Sequence, residues 1–215
     1  SSRRRHTRYI SVTGVQTCAL PIFNVHNSEG VQYKEPDLKV MGLEMVRSST
    51  PAVCRSKLKD AIPVILDGDS AGLKQYVSDF KQEFMKLPVH DIAKPSGVNG
   101  MTTYKGKDGI YSKGTPIHVR GCLLFNHHTK RLGLDKKYQS IQDEDKIKFV
   151  YVRKPNPFQE DIISFSTHLP PEFGLDKFID RDLQFQKVFV DALQIMVNPL
   201  GWSLDDSANL DDFFG

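Results

Sequence analysis

Apolar residues recur with the 3.6-residue period of an amphipathic helix in four segments of the chain. These segments are residues 51–66, 71–87, 117–132 and 176–197. Pro63 lies inside the first segment and predicts a kink or an early break, because proline removes a backbone donor. The first two segments are joined by a short turn, so we expect them to pack as an antiparallel helical hairpin.

Alternation of polar and apolar residues predicts strands elsewhere in the chain. It is clearest at residues 146–152, KIKFVYV, and a second strand is predicted at 161–165. Residues 23–33 indicate two short strands joined by a turn at 27–30.

Residues 89–114 are rich in Gly, Pro, Lys and Asn and show little periodicity. We interpret them as a long loop, with short strands near 101–104. The whole pattern indicates an α+β protein that is mainly helical.

The stretch Leu38–Pro51, LKVMGLEMVRSSTP, opens as a strand and turns into a helix start, with Thr50 as N-cap and Pro51 in the first helical position. Thr115-Pro116 repeats this arrangement before the third helix. Helix starts expose backbone N–H groups that can bind a phosphate, although ordinary capping explains the same pattern. The polar residues beside these starts are Arg47, Ser48, Ser49 and Thr50 at the first, and Lys113 and Thr115 at the second.

Composition limits the possible functions. The chain has 215 residues, 39% of them hydrophobic, a mean hydropathy of −0.38 and no apolar run near the roughly 18 residues that a membrane span needs. Cys54 and Cys122 lie on apolar helix faces, and this placement favours buried free thiols.

Residues 1–22 are treated separately, because VTGVQTCALPI at 12–22 resembles a translated sequencing adapter of assembled metagenomic reads. A basic arm or a targeting peptide is the alternative. This segment holds four Arg and no acids, so the net charge of +3 becomes −1 without it, with 25 basic and 26 acidic residues. A nucleic-acid surface would therefore have to come from local clustering of cations.

Catalytic motifs are missing from the sequence. There is no GxSxG, P-loop or HExxH pattern, and the acidic pairs at 205–206 and 211–212 lie in a polar tail. His127 and His128 are adjacent, and neighbouring side chains on a helix point apart, so they make a poor metal clamp. We expect no catalytic residue, metal site or cofactor in this chain.

Several motifs resemble the family B replicative DNA polymerases of T-even-type phages. The run Tyr33–Pro51, YKEPDLKVMGLEMVRSSTP, resembles their palm-to-thumb junction. His118-Val119-Arg120-Gly121 with Asn126 resembles a thumb motif, Asn156–Phe158 fits a family turn, and the ending ANLDDFFG resembles their clamp-binding tail.

The resemblance implies that the chain is a C-terminal fragment of such a DNA-directed DNA polymerase, a nucleotidyltransferase. Residues 23–50 would be the last palm hairpin and junction strand, 51–202 the thumb domain and 203–215 a flexible clamp-binding tail, with 1–22 non-native and disordered. The palm, fingers and exonuclease domains would be missing, and with them the catalytic aspartates and two Mg²⁺ ions. The fragment should be inactive alone.

The resemblance also implies partners for individual residues. The thumb would hold duplex primer-template DNA through its phosphates, and the tail would tether the enzyme to the sliding clamp by Leu210, Phe213 and Phe214. Gly42 would allow close backbone approach, or mark a strand bulge, and the basic side chains could equally be solvated. The predicted DNA contacts are Lys39, Gly42, Arg47, Ser48, Ser49, Thr50, Lys113, Thr115, His118, Arg120, Asn126, Lys130, Arg153 and Lys154.

Two alternatives stay open. The phenylalanines of the tail could fold back on their own domain instead of binding a clamp. The chain could also be a stand-alone, non-catalytic interaction module of a phage replisome. In either case the expected location is the host bacterial cytoplasm, with no membrane partner.

Overall fold

The computed structural model describes residues 22–26, 32–39, 47–106 and 109–204. Strands β1 (Ile22–His26) and β2 (Gln32–Lys39) form an antiparallel pair in which Phe23 lies opposite Leu38. The hairpin predicted near residues 23–33 is confirmed in kind, although its second strand extends to Lys39 and the turn lies outside the described residues.

A helical hairpin follows, as predicted. It consists of α1 (Ala52–Asp67) and α2 (Ser70–Phe84), joined where Asp69 caps α2 by accepting the N–H of Gly72 at 2.7 Å. Helix α1 runs through Pro63 to Asp67, so the early break predicted there is wrong. The four apolar residues that α1 buries in a shared core with α2 stabilise the helix on both sides of the proline; they are Cys54, Leu58, Ala61 and Ile62.

Residues 89–104 are more ordered than the sequence suggests. They form a short helix α3 (Val89–Ile92), a strand β3 (Lys94–Gly97) and a helical turn α4 (Met101–Tyr104). The strands predicted near 101–104 are therefore wrong. Asp143 accepts the Met101 N–H at 2.8 Å, and the Met101 side chain is buried, which fixes a helical turn there.

Helix α5 (Ile117–Arg131) packs on a three-stranded antiparallel sheet in the order β3-β4-β5, with β4 at Lys146–Tyr151 and β5 at Ile162–Phe165. The closest approach is at Gly121, where an added Cβ would lie 2.3 Å from the Ser164 Oγ. That hydroxyl donates to the His118 carbonyl at 2.9 Å. Glycine is therefore required where α5 crosses β5.

The last helical segment begins later than predicted. Residues 176–178 form a 3₁₀ turn, and α6 (Arg181–Phe185) continues through a π-helical turn at Gln186–Val190 into α7 (Asp191–Val197). The side chain of Asp180 accepts the Leu183 N–H at 3.0 Å, so this N-cap sets the start of the helix.

Two hydrophobic cores result, one between α5 and the sheet and one among α1, α2, α6 and α7. Gln184 joins them: its amide donates to the Ile92 carbonyl at 2.8 Å and accepts the Tyr151 N–H at 3.1 Å. Cys54 and Cys122 are buried free thiols, as predicted. The chain is thus α+β, about half helical with a small sheet.

Candidate nucleic-acid interface

The two Thr-Pro helix starts are built differently from the prediction. In both, proline is the N-cap, with φ near −53° and ψ 142°, and the helix begins at the next residue. Thr50 is therefore not the N-cap of α1, because the extended proline separates it from the first turn. Thr115 uses its hydroxyl to donate to the Ser112 carbonyl at 2.6 Å.

These starts still leave a positive helix end. No side chain caps the first turn of α1 or α5, and neither first turn carries an acidic residue. Near α1, Arg47 and Ser48 are exposed, Ser49 is half-buried and Thr50 is buried, with the Thr50 N–H donating to the Arg47 carbonyl at 3.2 Å. Near α5, Lys113 is exposed.

Two of the predicted sites lie in or beside the first hairpin. Lys39 ends β2, opposite Ile22. Gly42 lies outside the described residues, as do the tail residues Leu210, Phe213 and Phe214.

Arg120 is already engaged within the fold. Its guanidinium forms an ion pair with Asp161 and lies 5.7 Å from the centre of the Tyr111 ring. Its Nε–H is buried and has no hydrogen-bond partner in the described chain. A phosphate that approached Arg120 would therefore have to compete with the Asp161 carboxylate.

The other two residues of this motif also face the protein. Burial lowers the pKa of His118, so its half-buried ring favours the neutral form. Asn126 uses both ends of its amide on Ile141, donating to the carbonyl and accepting the N–H, each at 2.8 Å. His118, Arg120 and Asn126 are thus positioned on α5 mainly by contacts with the rest of the fold.

The loop between β4 and β5 presents Arg153 and Lys154 to solvent. Asn156 is buried and closes the loop, because its Nδ2 donates to the carbonyls of Arg153 at 2.9 Å and Glu160 at 2.6 Å. Its Oδ1 accepts the Phe158 N–H at 3.0 Å. The turn geometry predicted for Asn156–Phe158 is confirmed.

Phe158 attaches this loop to the C-terminal half of α5. Its ring stacks on that of His128, with centroids 3.5 Å apart and planes within 5°. The guanidinium carbon of Arg131 lies 5.8 Å from the Phe158 ring centre. This contact brings the Arg131 side chain to the loop that carries Arg153 and Lys154, and exposed Lys130 precedes Arg131 on α5.

Lys177 joins the same region, since the carbonyl of its neighbour Phe178 accepts the Arg153 N–H at 2.6 Å. Sequence reasoning missed both Arg131 and Lys177, because the first is placed by the packing of Phe158 and the second by a backbone hydrogen bond. We call this set the loop basic cluster: Lys130, Arg131, Arg153, Lys154 and Lys177. All five are exposed, and none forms an ion pair with another described residue.

His128 is buried, and neither ring nitrogen has a hydrogen-bond partner in the described chain. Burial, with smaller effects from Arg131 and His127, lowers its pKa to about 4. The His127 ring stands nearly perpendicular to it, at 88°. No group of three or more His, Cys, Asp or Glu side chains in the described ranges is arranged to hold a metal ion.

The helices of the described ranges are all too short or too polar to cross a membrane. No protein-family model matches the chain.

Two curated proteins are similar to it. The chain is 32% identical over 196 residues to the DNA-directed DNA polymerase of Enterobacteria phage T4 and 31% identical over 206 residues to that of Escherichia phage RB69. These matches cover 89% and 94% of this chain but only 21% and 22% of the relatives, so the chain spans about a fifth of their length. The chain is therefore homologous, over nearly its whole length, to a segment of the T-even-type phage DNA-directed DNA polymerases.

Proposed function

We propose that this chain is the thumb-containing part of a replicative DNA polymerase and holds primer-template duplex through its phosphates. The loop basic cluster carries this proposal. It comprises five exposed cations on α5, on the loop after β4 and on the 3₁₀ turn at 176–178, segments that contact one another through Phe158 and the Arg153 N–H. Cations without carboxylate partners can contact phosphates without first breaking an ion pair.

The other predicted DNA contacts would contribute to different extents. The uncapped first turns of α1 and α5, with Arg47, Ser48, Ser49 and Lys113 beside them, offer N–H groups to a phosphate. Arg120 would contribute only where a phosphate displaces Asp161. Lys39 and Gly42 would extend the surface towards the palm.

We further propose that the residues after 204 tether the chain to a sliding clamp. Leu204 is buried, and its N–H donates to the Gln194 side chain at 2.8 Å. The chain therefore leaves α7 from a fixed point. Eleven residues then remain, and they can reach roughly 35–40 Å when extended. Leu210, Phe213 and Phe214 would be the apolar anchors in the clamp.

Nucleotidyl transfer would be carried out by a palm domain with two Mg²⁺ ions, not by this chain. The described residues offer no carboxylate set for those ions, so no catalytic step is assigned here. The isolated chain is proposed to be inactive. The whole enzyme would act in the host bacterial cytoplasm.

Duplex affinity measured against salt concentration tests the DNA-holding role. If all five cations contact phosphates, log K should fall with log salt with a slope of about −4.5. Arg153→Met with Lys154→Met should weaken binding and reduce the slope by about 2, equally for unrelated duplex sequences.

Lys59→Met with Lys74→Met is the matched control. Both lysines are exposed and lie on α1 and α2, outside the loop basic cluster, and this double substitution also removes two positive charges. Equal loss of affinity in the two double variants would refute the assignment of the cluster.

For the tail, binding to the cognate clamp should be lost on Phe213→Ala with Phe214→Ala. Unchanged capture of the clamp would refute the tether.

A further inference from the structure

A cavity of about 300 Å³ opens where the chain after α5, the start of β4 and the turn after β5 meet. None of the residues that line this cavity belongs to the loop basic cluster. Its walls include Ser140, Lys146, Ser166 and His168, and aromatic rings contribute the less polar part. This volume is at the lower end of small-ligand sites.

Three side chains that line this cavity have no hydrogen-bond or ion-pair partner among the described residues. Lys146 is exposed and forms no ion pair with the described residues. The hydroxyls of Ser140 and Ser166 make no hydrogen bond in the same part of the chain. Lys137, by contrast, also lines the cavity but is neutralised by its ion pair with Glu172.

The ring of His168 packs against His90, which is itself fixed by hydrogen bonds. Lys148 donates to the Nε2 of His90 at 2.8 Å and to the His90 carbonyl at 2.9 Å. Because Nε2 accepts, the proton is on Nδ1, which donates to the Thr167 carbonyl at 2.9 Å. His168 then stacks on His90, with centroids 5.4 Å apart. A second ammonium group, that of Lys148, thus lies behind the stacked rings.

Side chains that bear an ammonium group, two hydroxyls and an imidazole line one small cavity, and these are donors that phosphoryl oxygens accept. We propose that this cavity binds a phosphate ester or free phosphate, with Lys146 as the main cation and Ser140, Ser166 and His168 as donors. The site stands on this geometry alone. Its occupation by a phosphate of a nucleic-acid strand rests in addition on the proposed function.

Substitution of Asp145 should change phosphate affinity in the opposite direction to substitution of Lys146. Asp145 lines the cavity and its carboxylate accepts the Gln142 N–H at 2.8 Å, so its negative charge would oppose an anion bound there. Asp145→Asn keeps an acceptor for that N–H and removes the negative charge. It should therefore tighten phosphate binding, whereas Lys146→Met should weaken it.

The experiment is a chemical-shift titration of the full chain with inorganic phosphate at constant ionic strength, followed on the amides of Ser166 and His168. We expect saturable shifts, at least about tenfold weaker binding for Lys146→Met and a few-fold tighter binding for Asp145→Asn. Lys74→Met, on exposed α2, is the control and should bind phosphate as the unmodified chain does. Absence of saturable shifts, or equal affinity in all variants, would overturn the site.

A competition arm identifies the source of the phosphate. Displacement of a primer-template duplex by inorganic phosphate in the unmodified chain, but not in Lys146→Met, identifies a strand phosphate. Phosphate binding without competition identifies a free phosphate or nucleotide and leaves the site supported. Failure of the DNA-holding role appears separately, as a duplex affinity that does not respond to the loss of Arg153 and Lys154.

Discussion

The buried histidine of α5 should make the stability of the protein depend on pH in a defined window. The pKa of His128 is lowered from its ordinary 6.5 to about 4, chiefly by burial. The unfolded chain therefore binds the proton more readily than the folded chain. The stabilising contribution is complete above about pH 6.5 and is lost as pH falls towards 4.

The size of the effect follows from the same two pKa values. A difference of about 2.5 units corresponds to about 3 kcal/mol in full, and roughly 2 kcal/mol of this should be lost by pH 5. The physical reason is that an imidazolium between Phe158 and the core would have no acceptor for either N–H among the described residues.

Urea unfolding at pH 7.5 and pH 5 measures this loss, with His128→Phe as the test variant. Phe keeps the aromatic stack but cannot titrate, so the variant should lose about 2 kcal/mol less than the unmodified chain between the two pH values. His127→Gln is the control for substituting a histidine in this helix, because the His127 side chain is exposed and its replacement leaves the buried ring of His128 in place. Identical losses for the unmodified chain and His128→Phe would refute the reasoning. The pKa of Glu172, lowered to about 2 by Lys137, affects stability only below about pH 4.5 and so does not interfere.

Three further predictions concern packing and thiol chemistry. Gly121→Ala should destabilise the fold by about 1–3 kcal/mol in chemical unfolding, because its methyl group would collide with Ser164, whereas Gly97→Ala meets nothing within 4 Å and serves as the control. Gln184→Leu should cost at least about 2 kcal/mol by the same measurement, since it leaves the Ile92 carbonyl and the Tyr151 N–H without their partner, and a smaller loss would contradict the bridging role. In a Cys18→Ser chain, Cys54 and Cys122 should resist a thiol reagent at pH 8 until the protein unfolds, because burial raises the pKa of each to about 12; rapid labelling of the native chain would count against this.

The sequence was sufficient where local pattern decides structure. Helices α1, α2 and α5 and strands β4 and β5 follow their periodicities closely. Sequence patterns did not predict elements that depend on a distant partner. Strand β3 forms by pairing with β4, where Pro95 lies opposite Lys148, and its own sequence KPSG shows no alternation of polar and apolar residues. The early break predicted at Pro63 is wrong, because burial of the apolar stripe of α1 outweighs the local penalty of the proline.

The same distinction applies to the candidate interface. Arg153, Lys154 and Lys130 could be predicted as cations, but the attachment of the loop to α5 could not, because it depends on the stacking of Phe158 against His128. Arg120 and Asn126 were predicted to contact DNA. Their real partners, Asp161 and the Ile141 backbone, are 41 and 15 residues away in sequence. No local signal identifies such partners.

The closure of the 153–160 loop by Asn156 has a consequence for affinity. Ordering a backbone costs roughly 1–2 kcal/mol per residue, so a loop that folded only on a ligand would lose much of its binding energy. Here Asn156 and Phe158 order the loop during folding of the protein itself. A ligand then has only to immobilise the side chains of Arg153 and Lys154, at about 0.5–1.5 kcal/mol each. If the loop holds a ligand as proposed, loss of Asn156 would weaken binding through the order of the loop, without removing either of its cations.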